Sequence, residues 1–133
     1  MTLVVDASVA AKWILQENDS ARAASIRTTG EDFIAPSLVF AEIANAIWKA
    51  VLRGDIPARN AGEGLHLALG HFQQVVPLED LNAEAIKLAT DLRHPVYDCY
   101  YLALAQRENV AIITADEDMI AVARKAKVKV KRL

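Results

Sequence analysis

Short apolar runs alternate with longer amphipathic or apolar stretches along the chain, and polar or glycine-containing breaks separate them. Leu3-Val4-Val5 is a strand-type run ending at Asp6, and Ser8 is placed to cap a helix running through 13–16. Asn18-Asp19-Ser20 restarts a helix that ends near Gly30, and Phe33-Ile34-Ala35 is a second buried-type strand before Pro36-Ser37 opens a nearly all-apolar helix over 38–53. Gly54 stops that helix, and 58–72 reads as another despite Gly62, Gly64 and Gly70. Gln74 to Pro77 is a strand or edge, Asn82 caps a helix reaching 93, and 97–108 is helical after the Pro95 break. Val110 to Thr114 is the clearest buried strand, followed by a helix over 116–125 and a last strand over 128–130. Strands alternating with helices imply right-handed crossovers and a parallel sheet covered on both faces. Such a sheet places its ligand crevice at the carboxyl ends of the strands.

Composition narrows the class. A chain of 133 residues suits one domain, 1–133. Hydrophobic residues make up 53% of it but aromatics only 6%, with 24 alanines, which suits helices packed closely through small side chains. No apolar run reaches a membrane-spanning length and the N-terminus lacks a signal-peptide pattern, so a cytoplasmic protein without a membrane partner is expected. Cys99 stands alone, allowing neither a disulfide nor a cysteine metal cage. The net charge of −2 shows no basic excess of the kind nucleic-acid binders carry.

Four acids do not read as ordinary surface charges. Asp6 and Asp116 follow the ends of predicted strands, so both belong at one sheet edge; taken singly, each also suits a helix start. Glu42 lies inside Leu38-Val39-Phe40-Ala41-Glu42-Ile43-Ala44, where a lone buried carboxylate is costly unless paired or bound to a metal. Asn45, Lys49 and Arg53 share its helical stripe, which faces either a polar cleft or plain solvent. Asp98 heads the apolar stretch Cys99 to Ala105, as a cap or as a functional acid. One convergent cluster accounts for all four better than four separate accidents. Carboxylates without cysteine or suitably spaced histidine select Mg²⁺ or Mn²⁺, and such ions serve phosphodiester hydrolysis.

These pieces resemble the PIN-domain ribonucleases, and within them the VapC-type toxins of toxin–antitoxin pairs. The matching segments are Val5-Asp6-Ala7-Ser8-Val9, Pro36-Ser37-Leu38 leading into Glu42-Ile43-Ala44-Asn45-Ala46, Tyr97 to Ala105, and Thr114-Ala115-Asp116. They stand in the family's order across nearly the whole chain. The resemblance implies a PIN-like three-layer α/β/α fold with a central, mostly parallel sheet and an acidic cluster at its carboxyl edge. It also implies a Mg²⁺- or Mn²⁺-dependent endoribonuclease leaving a 3′-hydroxyl and a 5′-phosphate. Asp6, Glu42, Asp98 and Asp116 would be its catalytic, metal-holding residues, supported by Ser8, Asn45 and Thr114. Position after the threonine favours Asp116 over Asp118, which either holds a water or faces solvent. Expected partners are RNA, a small antitoxin and a second copy of the chain.

Lys12 and Lys49 are candidates for RNA contact, Lys12 equally a solvated lysine. Lys127, Lys129 and Lys131 alternate with valines as an edge strand whose lysines deter aggregation, or as an RNA contact. His66 and His71 miss the i,i+4 zinc spacing and His94 lies beside Pro95, so all three are read as surface or packing residues. Cys99 reads as a small buried hydrophobe. Other functions compatible with an acidic sheet edge are an RNA-processing nuclease without an antitoxin, a phosphoacceptor module and a non-catalytic binding domain. The phosphoacceptor usually carries an adjacent acidic pair after its first strand, where Asp6 stands alone.

Overall fold

The computed structural model describes residues 1–133 and shows a five-stranded, all-parallel sheet in the order β3-β2-β1-β4-β5. The strands are β1 (Thr2–Val5), β2 (Asp32–Pro36), β3 (Gln74–Val76), β4 (Ala111–Thr114) and β5 (Val130–Arg132). Seven α-helices flank them: α1 (Ala7–Ala10), α2 (Ser20–Ile26), α3 (Leu38–Leu52), α4 (Ala61–Leu69), α5 (Asn82–Leu92), α6 (Val96–Glu108) and α7 (Glu117–Lys125). This is the PIN-like α/β/α arrangement expected from the sequence.

The chain winds outward from β1 through β2 to β3, then returns to lay β4 against the other side of β1. Leu3 pairs with Phe33 on one side and with Ala111 on the other. Strand order therefore reverses between β1 and β4, and the crevice outside their carboxyl ends is where such a sheet binds ligands. The Asp6 N–H still bonds the Ile113 carbonyl (3.1 Å), which carries the pairing one step past β1 and anchors Asp6 at that crevice.

The core forms where apolar strands meet apolar helices. Leu3, Val4, Val5, Ile34, Ile112 and Ile113 are buried in the sheet. Over it lies α6, in which Cys99 and Tyr101 to Ala105 are all buried, because α6 is packed between the sheet and α5. Ala103 and Ala105 on α6 and Ala85 on α5 are among the small residues that let these layers approach. The Tyr100 hydroxyl donates to Asn82 Oδ1 and ties α5 to α6 at their starts.

Several element ends differ from expectation. The first helix is one α-turn followed by a 3-10 turn that ends at Trp13, whose buried indole N–H donates to the Ala23 carbonyl and fixes the chain there. Ser8 lies inside α1 and Asp6 holds its N-cap position. The second helix is confined to Ser20–Ile26, because Asp19 adopts a left-handed conformation (φ 67°). Residues 58–60 form a separate 3-10 turn, and α4 stops at Leu69. Asn82 opens α5 but does not cap it through its side chain. The last strand is shifted to Val130–Arg132: the Val128 N–H bonds the Ala123 carbonyl to close the turn after α7, and Val128 is buried there. Of the three alternating lysines only Lys131 lies in β5, where it pairs with Glu31 (3.5 Å). Gly54, at φ 82°, ends α3 in the left-handed conformation glycine adopts at least cost.

Candidate functional site

Asp6 follows β1, Asp116 follows β4, Glu42 projects from α3 and Asp98 from the first turn of α6. Four elements distant in sequence thus bring the predicted acids to one end of the sheet. The charges of Asp98 and Asp116 both act on Asp6, and those of Asp6 and Asp98 both act on Glu42.

Asp6 is only 6% exposed. Its Oδ2 accepts hydrogen bonds from Thr114 Oγ1 (2.7 Å) and Ser8 Oγ (2.9 Å). Those hydroxyls in turn accept backbone N–H groups, Thr114 from Asp116 (3.0 Å) and Ser8 from Ala115 (3.1 Å). The two polar residues picked out by motif therefore clamp β1, α1 and the β4–α7 turn around a single carboxylate. Burial pushes the Asp6 carboxyl up, the two hydroxyls pull it down, and the neighbouring acids push it up again.

Glu42 is half-buried, and its Oε1 accepts from the Tyr101 phenol (2.7 Å). Its carboxyl rises from 4.5 to about 7, chiefly through burial; the phenol opposes this, and the charges of Asp6 and Asp98 add to it. A plain solvent-facing strip does not describe this residue. Tyr101 is itself fully buried, and its hydroxyl is held well above the usual phenol range by burial and by the Glu42 charge.

Pro95 occupies the N-cap position of α6, so Asp98 is not a cap; its Oδ2 lies 2.7 Å from His94 Nε2. A carboxylate only accepts, so the facing ring nitrogen carries the hydrogen. The reading of His94 as a surface or packing residue is thereby corrected: Arg93 adopts φ 51°, turning the chain so that the imidazole meets a site carboxylate. Asp116 does cap its helix, Oδ1 accepting from the Asp118 N–H (2.9 Å), while Asp118 enters through its backbone.

One regularity emerges. Each of the four carboxylates has one oxygen held by a protein donor: Asp6 Oδ2, Glu42 Oε1, Asp98 Oδ2 and Asp116 Oδ1. The other oxygen of each has no protein donor, and no buried side-chain oxygen or nitrogen is left without a partner, so the free Asp6 oxygen reaches solvent. Hard oxygen donors without thiol or free imidazole suit Mg²⁺ or Mn²⁺. No three acidic, histidine or cysteine side chains already close around a common point.

Beside the acids opens a cleft of about 500 Å³ whose wall includes Ser8, Lys12, Glu42, Asn45, Lys49 and Asp116. Asn45 and Lys49 are exposed, and Lys49 makes no ion pair. Lys12 instead donates to Glu17 Oε2 and to the Asn18 carbonyl, both at 3.1 Å. Arg53, the last residue of the stripe, turns to Asp55. Cys99 is buried with its thiol pushed up, first by burial and then by the Asp98 charge, which suits packing.

Residues 3–125 match the family model described as the PIN domain. The chain belongs to the PIN-domain family. It is 31% identical over 123 residues to Ribonuclease VapC3 of Pyrobaculum aerophilum, a match covering 90% of this chain and 92% of that protein. Among solved structures, this PIN domain superposes with a TM-score of 0.74 on VapBC2 from Rickettsia felis bound to a DNA fragment from their promoter, at 13% identity over 100% of this chain and 99% of the other. PAE2754 from Pyrobaculum aerophilum gives 0.72 at 21% identity over 98% and 83%. A toxin–antitoxin complex from Klebsiella pneumoniae gives 0.65 at 13% identity over 90% of each chain. These structural likenesses establish the fold. No helix of the PIN domain is long and apolar enough to cross a membrane.

Proposed function

We propose that this PIN domain is a VapC-type ribonuclease that hydrolyses RNA phosphodiester bonds with Mg²⁺ or Mn²⁺ held by Asp6, Glu42, Asp98 and Asp116, and that a small antitoxin restrains it. The observation that carries this reading is the set of four carboxylates at the β1–β4 switch point, each gripped on one oxygen and free on the other. When bound, a divalent cation supplies Lewis acidity toward a water and toward the charge developing on the phosphoryl group. The chain does the positioning. Ser8 and Thr114 lock Asp6, Tyr101 steadies Glu42, His94 steadies Asp98, and the α7 cap holds Asp116. Lys49 and Asn45, on the wall of the cleft, receive the RNA backbone. Lys12 supports the 14–19 loop through Glu17 and contributes less. The name of VapC3 and the similarity over nine-tenths of the chain support the substrate class.

The partner reading draws support from the toxin–antitoxin complex among the structural neighbours and from a surface on the domain itself. Between α3 and α4 lies an apolar groove of about 350 Å³ lined by Ala44, Ile47, Trp48, Val51, Ala61 and Leu65. Trp48 is 55% exposed there and Leu52, nearby on α3, 66%. That surface fits the apolar face of an antitoxin segment.

The test is cleavage of total RNA by the purified chain with Mn²⁺ or with chelator, comparing wild type and Asp98→Asn. Cleavage that requires the metal and disappears in the variant, with an unchanged circular dichroism spectrum, is expected. Normal cleavage by Asp98→Asn overturns the assignment. The antitoxin reading expects that the product of a small upstream reading frame suppresses this cleavage.

A further inference from the structure

All three tyrosines of the chain lie in α6, and two of them have a partner. The Tyr101 hydroxyl donates to Glu42 and the Tyr100 hydroxyl to Asn82. Tyr97 is 63% exposed, its hydroxyl bonds no protein group and its ring packs on no other aromatic, whereas Trp13, Phe33 and Phe72 gather together. Its helix fixes where it stands. Tyr97 and Tyr101 are four residues apart, so they share one face of α6, with Tyr97 about 6 Å nearer the helix start. On that face Tyr101 reaches Glu42, and the residue after Tyr97 is Asp98. The bare ring therefore stands beside two of the four acids, one turn beyond the Tyr101–Glu42 bond. A separate wall carries Lys12 and Lys49.

We propose that Tyr97 is a substrate-binding residue that stacks on an unpaired base next to the phosphodiester being cut. This rests on the ribonuclease reading above and adds what holds the nucleoside, as distinct from the phosphate. A lone exposed aromatic is ordinary on a protein surface; its place beside Glu42 and Asp98 is what singles this one out. The net charge of −2 gives a polyanion little general attraction, so part of the affinity has to come from a contact that charge does not govern. Stacking is such a contact, because every base has an apolar ring face. It also sets register. A phosphate on Lys49 leaves the strand free to shift by one nucleotide, since the backbone repeats, whereas a base seated on Tyr97 fixes which phosphate meets the acids. In a duplex the ring faces are already covered by neighbouring bases, so only an unstacked base can use the tyrosine.

The test is equilibrium binding, with Mn²⁺, of a single-stranded RNA that the wild-type chain cuts at a mapped position. The background is Asp116→Asn, which under the ribonuclease reading blocks cleavage and leaves α6 untouched. The same strand is also measured in a duplex, and with one abasic nucleotide on either side of the cut. Circular dichroism and sedimentation are the controls for fold and assembly. Tyr97→Ala is expected to weaken single-strand binding about tenfold, in the range of losing one stacked base, and to leave the salt slope unchanged. Tyr97→Phe, which keeps the ring, should bind as the parent does. On the duplex, and on the abasic strand that lacks the stacked base, Tyr97→Ala should make no difference. Equal weakening on every RNA, a lowered salt slope or no weakening at all overturns the stacking role and leaves the nuclease reading standing. A change of assembly state in Tyr97→Ala assigns the ring to an interface between copies and likewise overturns it. A wild-type chain that cuts no RNA with Mn²⁺ overturns the ribonuclease reading itself, and the stacking role with it.

Discussion

Replacing Glu42 by glutamine isolates the electrostatic cost of assembling four acids in one place. The folded protein holds the Glu42 carboxyl at about 7 against an ordinary value of 4.5, so ionising it is harder in the folded chain than in the unfolded one. At 1.36 kcal/mol per pKa unit the whole shift would amount to about 3 kcal/mol, and water reaching the half-open side chain screens this to about 1–2 kcal/mol. The sign follows from the upward shift: the favourable contribution is complete below the unfolded value and is lost as pH rises through the folded one. Glutamine keeps an oxygen for the Tyr101 phenol and never charges. In chelator at pH 8, Glu42→Gln should therefore be the more stable protein by about 1–2 kcal/mol, a rise in Tm of roughly 3–8 °C for a domain of this size. The two melting curves should converge as pH falls toward 4. Saturating Mn²⁺ should reverse the order, because the wild-type site gains binding energy that the variant lacks. The assay is thermal unfolding across pH with and without metal. A variant no more stable than wild type at pH 8, or equally advantaged at pH 4 and pH 8, would refute the electrostatic argument, the second outcome pointing to packing instead.

Two further substitutions probe the neighbourhood. Thr114→Val keeps the shape of a fully buried side chain but removes a donor to Asp6 and the acceptor of the Asp116 N–H; denaturant unfolding should show a loss of about 1–3 kcal/mol, and a loss under about 0.5 kcal/mol would contradict the clamp. RNA binding measured against salt in an Asp98→Asn background should lose roughly 0.7–0.9 of slope in Lys49→Ala and less in Lys12→Ala, whose ammonium is occupied by Glu17; equal slopes would remove Lys49 from the RNA path.

The fold was legible because its strands are short apolar runs at the places where a parallel sheet needs them, and periodicity is strongest there. It was least legible where tertiary bonds override local pattern. The valines and lysines near the C-terminus alternate like a strand, yet Val128 is taken by the turn after α7 and the strand begins two residues later. The Trp13 indole, bonded to the Ala23 carbonyl, shortens the first helix in a way that no nearest-neighbour pattern encodes. At the site, the acids stood out because charge inside an apolar run is costly, whereas their donors did not. His94 reads as a surface or packing residue beside Pro95, although its i,i+4 offset from Asp98 places it one turn away across a helix start. Tyr101 hid among apolar neighbours; the signal it carried is that a buried phenol needs a partner.

The charge balance changes meaning once the acids are located. With four of the 17 acids gathered at one sheet edge, the remainder of the chain carries 15 basic residues against 13 acidic ones. The net −2 is an average over a strongly negative crevice and a mildly positive exterior. Under the proposed function, such a surface would attract RNA only loosely, and its anionic crevice would repel an incoming phosphate until a cation offset the charge. Metal and substrate should therefore bind with positive coupling: saturating Mn²⁺ tightens RNA, and RNA tightens Mn²⁺ by the same factor. An acidic crevice is equally a seat for a basic segment, so one electrostatic feature would serve both catalysis and its restraint by an antitoxin.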